Sequence, residues 1–217
     1  MVVCTHIRQQ NNFINQKHKT SFGARLLYNV NLRKIMSSSS DIFIPAKVSE
    51  LSYFSKEDND IISTIARHWN DSTEYTQYIV ESFKNRLQNA RYLIVEVLDD
   101  KFQFLDKLKS VIQLETDGSV SKKLYMQVSF LQASPDIINR VDSIKGSGEV
   151  AVYAGVKEAL KNGYPYFFVE STNDGFYQKI GFNQSVNEST DGIFALSQNK
   201  YENFINRVEK KYNIISE

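Results

Sequence analysis

Apolar residues along the chain switch between helical and extended spacing, and this switching predicts the order of its elements. Ser55-Lys-Glu-Asp58 is a helix-starting pattern, and the isoleucines that follow recur with Trp69 at helical intervals. A similar spacing from Tyr75 to Leu87 predicts a second amphipathic helix. Three β-prone segments come next, at 92–98, 108–114 and 124–131, and the second ends before the turn signal Asp117-Gly118. The pattern therefore predicts two helices and then an antiparallel meander.

A short strand is predicted before these helices. Asp41-Ile-Phe-Ile44 is followed by Pro45, which has no amide hydrogen and is expected to end the strand or to place it at a sheet edge. We therefore expect the folded part of the chain to begin at Asp41.

The last third has the pattern of a strand–helix–strand crossover. Val150 to Lys161 carries apolar residues at helical intervals, and the helix-stopping pair Asn162-Gly163 follows. Tyr166–Val169 is a continuous apolar run, as expected for a strand buried on both faces. The other predicted elements are a turn at 173–175, a short helix at 176–180, an extended piece from Gly181, a strand at 193–196 and a helix at 201–212. Together they predict an α/β protein with a mixed, mostly antiparallel central sheet and flanking helices.

Charge is unevenly distributed along the chain. Residues 1–40 contain no Asp or Glu and six Lys or Arg residues, and they end in four serines. This composition fits an organellar presequence, a disordered tail, or an upstream extension of a protein that starts at Met36. We predict that residues 1–40 lie outside the fold and that one domain spans residues 41–217. The predicted compartment is the cytoplasm, or the mitochondrion if residues 1–40 are a presequence.

Composition narrows the class of protein. The net charge is +1, with 41% apolar and 24% charged residues, which is ordinary for a soluble protein. No apolar run approaches the ~20 residues of a membrane-spanning helix. We therefore expect no membrane partner and, from the near-zero charge, no nucleic-acid partner. Cys4 is the single cysteine and the three histidines show no ligand spacing, so we expect no disulfide and no metal.

The segment Lys145-Gly-Ser-Gly148 forms a glycine turn in front of a predicted helix. The first amides of a helix and the positive end of its dipole suit a phosphate or pyrophosphate. The spacing is not that of a nucleotide P-loop, and the third glycine of a dinucleotide fingerprint is missing. By itself, the turn fits an anion site or an ordinary turn.

The order of this turn and the segments that follow resembles the GCN5-related N-acetyltransferase (GNAT) family. That family's cofactor turn is written Gln/Arg-x-x-Gly-x-Gly/Ala, which Gly146 and Gly148 match. Its later signature has a Tyr four residues before Gly-Phe, which Tyr177, Gly181 and Phe182 match. The close resemblance covers about residues 124–182. It implies the acyl-CoA N-acyltransferase fold, with acetyl-CoA as the co-substrate.

The resemblance also implies which residues hold acetyl-CoA. They are Lys145, Gly146, Ser147, Gly148 and Glu149 of the turn, Phe130 and Leu131 of the strand before it, and Asn173 near the pantetheine arm. Two features depart from the family pattern. Ser143 replaces the usual Gln or Arg, which removes a long side chain from the phosphate site, and the link between strand and turn is longer than usual. Arg140 in that link is a candidate replacement for the missing charge.

For the chemistry, the resemblance implies direct attack of a primary amine on the thioester. Tyr177 is the predicted general acid, which protonates the leaving thiolate. Glu170 is the predicted base, with Glu115 or water as the alternatives. The acceptor is a small-molecule or peptide amine whose identity stays open, as does the oligomeric state.

Two other functions fit the same residues. One is a non-catalytic GNAT-fold protein that binds acyl-CoA, which the replacement at Ser143 favours. The other is an interaction module in which the glycine turn is only a turn. Thiol release from acetyl-CoA in the presence of amines separates an enzyme from both.

Overall fold

A computed structural model describes residues 24–35, 42–69, 74–119, 122–140, 143–171, 174–184 and 192–215 of the chain. The strands are β1 (Arg25–Lys34), β2 (Ile42–Glu50), β3 (Ala90–Val97), β4 (Leu108–Ser119), β5 (Lys122–Ala133), β6 (Ile144–Lys145), β7 (Tyr166–Glu170), β8 (Asn183–Gln184) and β9 (Ile193–Ser197). The helices are α1 (Lys56–Trp69), α2 (Glu74–Lys84), α3 (Phe104–Lys107), α4 (Pro135–Ile138), α5 (Ser147–Asn162), α6 (Asp174–Lys179) and α7 (Tyr201–Tyr212). A 3₁₀ turn at Gln198–Lys200 precedes α7.

The described strands form one sheet in the order β6-β1-β2-β3-β4-β5-β7-β9-β8. The pairs are antiparallel except for β5 and β7, which are parallel and are joined by the crossover helix α5. Helices flank both faces. The predicted mixed, mostly antiparallel α/β architecture with a strand–helix–strand crossover is confirmed.

Two apolar layers hold the sheet between its helices. On β3, Leu93, Val95 and Val97 face the layer of α5, α6 and α7, while Tyr92 and Ile94 face the layer of α1 and α2. This alternation is the period of two that a strand imposes. Helix α5 is buried almost all round, with Val150 to Ala154 fully enclosed, because it lies between the sheet and α7.

The predicted start of the fold at Asp41 is wrong for the segment Arg25–Lys34. This segment is β1, which pairs with β2 over its whole length and with β6 at its end. Val30 and Leu32 are buried at a spacing of two, which is the strand signal that the basic composition obscured. Residues 1–23 and 36–41 lie outside the described residues, so the presequence hypothesis stays a prediction.

The prediction that Pro45 ends its strand or places it at an edge is also wrong. β2 runs through Pro45 and lies between β1 and β3. The β2–β3 ladder begins one residue later, at Ala46 opposite Val97, and the Pro45 carbonyl accepts a hydrogen bond from the Leu98 amide at 2.9 Å. Proline therefore fits in an interior strand here, because it contributes an acceptor at the end of the ladder.

The β4–β5 hairpin is longer than the sequence predicted. β4 continues through Asp117-Gly118 to Ser119, where the turn signal was expected to end it. The long link after β5 contains helix α4 and strand β6, which joins the sheet beside β1. Within the described residues, no helix is both long enough and apolar enough to cross a membrane.

Gly155 of α5 allows the crossover helix to approach β7. A Cβ atom there would lie 2.8 Å from Cζ of Phe167 and 3.2 Å from Cδ2 of Leu114. We expect Gly155→Val to lower the free energy of unfolding by about 1–3 kcal/mol, since both neighbours are buried. Urea denaturation measures this. Lys161→Val, on the exposed side of the same helix, is the control and should cost less than about 1 kcal/mol; equal losses would contradict the packing explanation.

Candidate active site

The parallel strands β5 and β7 part after three residue pairs. Met126, Gln127 and Val128 pair with Phe167, Phe168 and Val169. β5 then continues to Ala133, and among the described residues no strand pairs with it on the β7 side beyond Val128. A cleft therefore opens at the carboxyl ends of two parallel strands, which is where ligands bind in open α/β sheets.

A β-bulge lies at the point of parting. Gln113 of β4 is opposite Phe130 and the next residue, Leu114, is opposite Val128, so Ser129 has no cross-strand partner in β4. A bulge bends its strand and re-aims a side chain, and bulges are frequent beside active sites. The Ser129 hydroxyl oxygen is buried and has no hydrogen-bond partner among the described residues.

The glycine turn begins α5 beside this cleft. Gly146 is the N-cap residue, with φ of 98°, and provides no side-chain cap. A Cβ atom there would lie 2.3 Å from the ring of Tyr212, so both the backbone conformation and the close approach require glycine. The amides of the first turn have no acceptor inside the helix. The turn therefore places unpaired amides at the start of α5, and phosphate binding there stays a prediction.

The first turn of α5 is tied to its neighbours by polar contacts. The Ser147 hydroxyl donates to the Lys109 carbonyl at 3.2 Å, and Ser110 Oγ donates to the Ser147 carbonyl at 3.1 Å. Both serines are buried. The Ser147 side chain is thus used to fix α5 on β4, which leaves only its backbone for a ligand.

Glu149 is committed to α7. Its Oε2 atom accepts a hydrogen bond from the Tyr212 hydroxyl at 2.7 Å and pairs with Lys211 Nζ. Burial and then the Glu149 carboxylate raise the pKa of Tyr212, so the phenol remains a donor, and Arg33 opposes this shift. Arg33 is opposite Lys145 across the β1–β6 ladder. Lys211 therefore neutralises the Glu149 carboxylate, and Arg33 and Lys145 are two further basic residues at the turn.

Gly148 faces the cleft. A Cβ atom there would lie 3.6 Å from Cζ of Phe176 in α6 and 3.7 Å from Cδ2 of Leu131 in β5. The start of α5, the end of β5 and α6 thus meet around one glycine. Apolar side chains therefore lie beside the first amides of α5, and the predicted contact of this turn with coenzyme A stays a prediction.

Phe130 and Leu131 lie on opposite faces of β5. Leu131 packs with the α5 layer, whereas the Phe130 ring stacks on Tyr78 at 5.4 Å and lies 6.0 Å from Tyr75. Leu131 therefore lies on the same side of the sheet as the start of α5. The Phe130 side chain lies on the α2 side, so its predicted contact with a cofactor beside α5 would involve only its backbone.

An open groove of about 480 Å³ lies on that second face, beside the part of β5 that precedes its parting from β7. It is lined by Leu87, Gln88, Asn89, Glu115, Thr116, Asp117, Tyr125 and Gln127. Tyr125 contacts the Phe168 ring at 5.3 Å, which joins the groove to β7. The groove combines two carboxylates with an aromatic wall.

Glu115 is oriented by a chain of hydrogen bonds that begins inside the protein. Tyr92 Oη donates to Ser82 Oγ at 2.9 Å, Ser82 donates to Gln113 Oε1 at 2.7 Å, and Gln113 Nε2 donates to Glu115 Oε1 at 2.7 Å. Glu170 instead ends β7 as an exposed residue, one position after the last β5–β7 pair. Both candidate bases thus lie near the cleft, one fixed and one solvated.

Tyr177 is a buried residue of α6. Its ring packs against Phe176, Phe182 and Phe194. Burial raises the pKa of its phenol, so the hydroxyl stays protonated at neutral pH. The packing also explains the Gly-Phe signature: Gly181 has φ of 88°, and Phe182 contacts Tyr177 at a ring distance of 5.9 Å.

Three further sequence predictions concern Asn173, Ser143 and Arg140. Asn173 lies outside the described residues, so its predicted contact with the pantetheine arm stays a prediction. The Ser143 carbonyl accepts a hydrogen bond from the Ile35 amide at 3.0 Å, which anchors the link to β1. Arg140 has φ of 59° and lies in an exposed turn after α4. Its proposed replacement of the missing charge also stays a prediction.

No group of three or more His, Cys, Asp or Glu side chains that could hold a metal occurs in the part of the chain that the structure describes.

The comparisons with known proteins identify the fold. No family model and no curated protein sequence matches this chain. One similar structure is a tyrosine-to-phenylalanine variant of the AtaT toxin bound to the C-terminus of the antitoxin AtaR and to acetyl-CoA. It is 14% identical to this chain, the match covers 74% of this chain and 98% of that chain, and the TM-score is 0.51. A GNAT family acetyltransferase from Brucella melitensis in complex with acetyl-CoA is 11% identical, with coverages of 70% and 87% and a TM-score of 0.48. With the topology described above, the first likeness confirms the predicted acyl-CoA N-acyltransferase fold.

The predicted exclusion of nucleic acid as a partner is wrong. Structures similar to this chain include AtaT complexed with acetyl-methionyl-tRNAfMet, at 15% identity, coverages of 72% and 97% and a TM-score of 0.48. They also include a KacTA–DNA complex, at 15% identity, coverages of 68% and 86% and a TM-score of 0.46. A net charge near zero describes the whole chain and does not exclude such assemblies, because recognition depends on local charge.

The buried Tyr177 phenol gives the free energy of unfolding a pH dependence. Its pKa is raised in the folded protein, so above about pH 10 the unfolded chain releases a proton that the folded chain keeps, and stability falls. We expect Tyr177→Phe to reduce the loss of stability between pH 8 and pH 11 by about 1.4 kcal/mol relative to the unmodified protein. Urea denaturation at both pH values measures this, and parallel losses in the two proteins would contradict it.

Proposed function

We propose that this protein transfers an acetyl group from acetyl-CoA to a primary amine. The observation that carries the proposal is the parting of β5 and β7 at Val128 and Val169, directly beside the bulge at Ser129. Gly148, at the start of α5, faces the same cleft between Leu131 and Phe176. The acetyl-CoA in the AtaT structure supports this reading of the cleft.

In this proposal the cofactor enters from the α5 side. The first-turn amides of α5 bind the pyrophosphate, and Arg33 and Lys145 supply positive charge at the turn, while Lys211 offsets the charge of Glu149. The pantetheine arm passes Gly148 and lies against Leu131. Because Ser143 provides no long side chain, the turn depends on its amides and on Arg33 and Lys145.

The acceptor amine enters from the opposite face of the sheet. Its nitrogen attacks the thioester carbonyl carbon, and the carbonyl oxygen gains charge at the bulge of β5. Glu170, at the end of β7, takes the proton of the amine directly or through water. The carbon–sulfur bond then breaks, and the products are an N-acetyl amide and the thiol of coenzyme A.

Tyr177 is the proposed donor to the leaving sulfur. Its raised pKa keeps the phenol protonated, which a donor requires, but makes it a weaker acid than an exposed tyrosine. The phenol therefore stabilises the thiolate mainly by donating a hydrogen bond while the bond to carbon lengthens. Proton transfer to sulfur is completed as the amine loses its proton.

The groove on the acceptor side favours an amine that carries a second positive charge. Glu115 and Asp117 line it, and Gln113 holds Glu115 in place. A carboxylate fixed by a buried hydrogen bond can bind a cation without losing its own side-chain entropy. A diamine or an amino sugar fits this charge pattern better than a neutral amine.

A test of the cofactor cleft is Gly148→Trp. We expect acetyl-CoA to raise the melting temperature of the unmodified protein and to leave that of Gly148→Trp unchanged, because the indole fills the slot beside Leu131 and Phe176. Thiol release with a panel of diamines, amino sugars and neutral amines should be detectable for the unmodified protein alone.

Lys161→Trp is the matched control for this test. It lies near the other end of α5, roughly 20 Å along the helix from Gly148, and is exposed. It should keep the ligand-induced shift. If Gly148→Trp also keeps it, the cofactor cleft is wrongly placed; a shift without thiol release from any amine would favour a binding protein over an enzyme.

Turnover by Tyr177→Phe tests the proposed donor. We expect acetyl-CoA binding to be retained and kcat to fall by about tenfold or more, since the aromatic packing survives and the hydroxyl is lost. Steady-state kinetics with a saturating amine measure this. A kcat equal to that of the unmodified enzyme would remove Tyr177 from the reaction.

A further inference from the structure

We propose that the Ser129 hydroxyl donates a hydrogen bond to the thioester carbonyl oxygen and so acts as a catalytic residue of the acyl transfer. The inference rests on the proposed function and assigns a side-chain donor to its transition state. It is carried by an unpaired buried hydroxyl at the point where the two parallel strands separate.

The Ser129 hydroxyl has no structural use among the described residues. Its Oγ atom is shielded from solvent and has no hydrogen-bond partner there. A buried hydroxyl without a partner costs free energy, and such groups call for an explanation when they occur. Four other buried polar atoms share this state, in Ser49, Asp58, Ser134 and Tyr201, but none belongs to the parting of β5 and β7.

The position of Ser129 supplies the explanation. It follows Val128, the last residue of β5 that pairs with β7, and the bulge removes its partner in β4. Leu131, which faces Gly148 across the cofactor slot, is two residues further along the same strand, or about 7 Å. Ser129 therefore lies on the line from the slot to the opening of the sheet, where the acetyl group must be when the amine reaches it.

The chemistry of the step requires a donor at this place. The amine nitrogen forms a bond to the carbonyl carbon, and the electron pair of the C=O π bond moves onto oxygen. The oxygen then carries negative charge and accepts the Ser129 hydrogen bond. When the C=O bond re-forms, the carbon–sulfur bond breaks, the sulfur receives a proton, and the amine nitrogen gives one up. No proton leaves Ser129, so the residue stabilises charge and is unchanged after the reaction.

A donor that is buried and unpaired is available for a ligand once the acetyl group displaces the side chains that shield it. It has no internal bond to break before it meets the oxygen, and the low polarity around it strengthens the interaction. Loss of one such donor in other enzymes lowers kcat by about 10²–10³-fold. We expect a decrease of at least about tenfold here.

The experiment compares Ser129→Ala with Ser49→Ala in the full-length protein. Ser49 also has a buried, unpaired hydroxyl, but it lies in β2, three strands from β5. We expect Ser129→Ala to lower kcat by about tenfold or more, with the KM for acetyl-CoA changed less than about threefold. Ser49→Ala should leave kcat unchanged, and Ser129→Thr, which keeps a hydroxyl, should recover part of the loss.

Stability provides a second readout with a definite sign. Because the Ser129 hydroxyl has no internal partner, Ser129→Ala should leave the urea midpoint unchanged or raise it. A clear fall in the midpoint would mean that the hydroxyl is used within the fold and would overturn the inference. A merely structural serine would move the midpoint and leave the kcat of the folded enzyme unchanged.

Binding separates failure of this inference from failure of the proposed function. Ser129→Ala should weaken the binding of acetyl-CoA by about two- to threefold relative to the binding of coenzyme A, which has no carbonyl at this place. If the unmodified protein transfers acetyl groups and Ser129→Ala matches it in both kcat and this ratio, Ser129 has no role and the function stands. If the unmodified protein does not bind acetyl-CoA, the proposed function and this inference both fail.

Discussion

The parallel pairing of β5 with β7, which is only three residue pairs long, is the constraint on which the site depends. Parallel strands require a crossover, and α5 provides it across one face of the sheet. The carboxyl ends of both strands then point to the same edge, so α5 begins there and α6 follows β7 there. The bulge at Ser129, the glycine turn and Tyr177 are brought to one place by this connectivity.

The crossover helix is fixed in rotation by two buried carboxylates. Glu149 contacts Tyr212 and Lys211 at the first turn of α5. Glu158, near the last turn, accepts from Tyr28 at 2.5 Å and pairs with Arg91 at 2.8 Å. A helix that is apolar on nearly every side could rotate in its layer at small cost, and buried ion pairs of this kind add more to specificity than to net stability. The two ends of α5 thus have one orientation relative to the sheet.

Much of the fold could be predicted from the sequence, because the spacing of apolar residues indicates which positions of an element are buried. The amphipathic helix α1 and the crossover helix α5 bury the positions that their periodicity indicates. In α2, Ile79 and Phe83 are buried, but Tyr78 and Leu87 of the predicted apolar face are exposed. The prediction that β7 is buried on both faces is wrong, because its burial alternates: Phe167 and Val169 are buried and Tyr166 is exposed. β1 was missed since Val30 and Leu32 lie in a basic, acid-free segment whose composition outweighed its alternation. The place of Pro45 could not be predicted because the end of the β2–β3 ladder depends on a distant pair, Ala46 opposite Val97, whose members are 51 residues apart.

Less of the candidate site than of the fold could be predicted from the sequence. Glycines at 146 and 148 are visible in the sequence. The structure requires glycine at 146, because of its positive φ and the close approach of Tyr212, whereas a Cβ atom at 148 would make only ordinary contacts. The Ser129 bulge has no sequence signal, since it arises from a register shift between β4 and β5 that no local pattern encodes. The internal contacts of Glu149 and Ser147 could not be predicted either, because their partners lie in elements that are distant in the sequence.

Helix α7 contacts both the segment that follows α6 and the glycine turn. Near its middle, α7 contacts the segment that follows α6. There Phe204 packs on Phe182 at 5.7 Å, and Arg207 donates a hydrogen bond to the Ile180 carbonyl. One turn later, Lys211 and Tyr212 hold the glycine turn. Each residue advances a helix by 100° and 1.5 Å, so the number of residues between Arg207 and Lys211 fixes how these two contacts are oriented relative to each other. A single insertion or deletion between Arg207 and Lys211 would rotate one contact relative to the other by more than a quarter turn. Such length changes are therefore expected to be far less tolerable here than in the loops, although α7 has no assigned part in the chemistry.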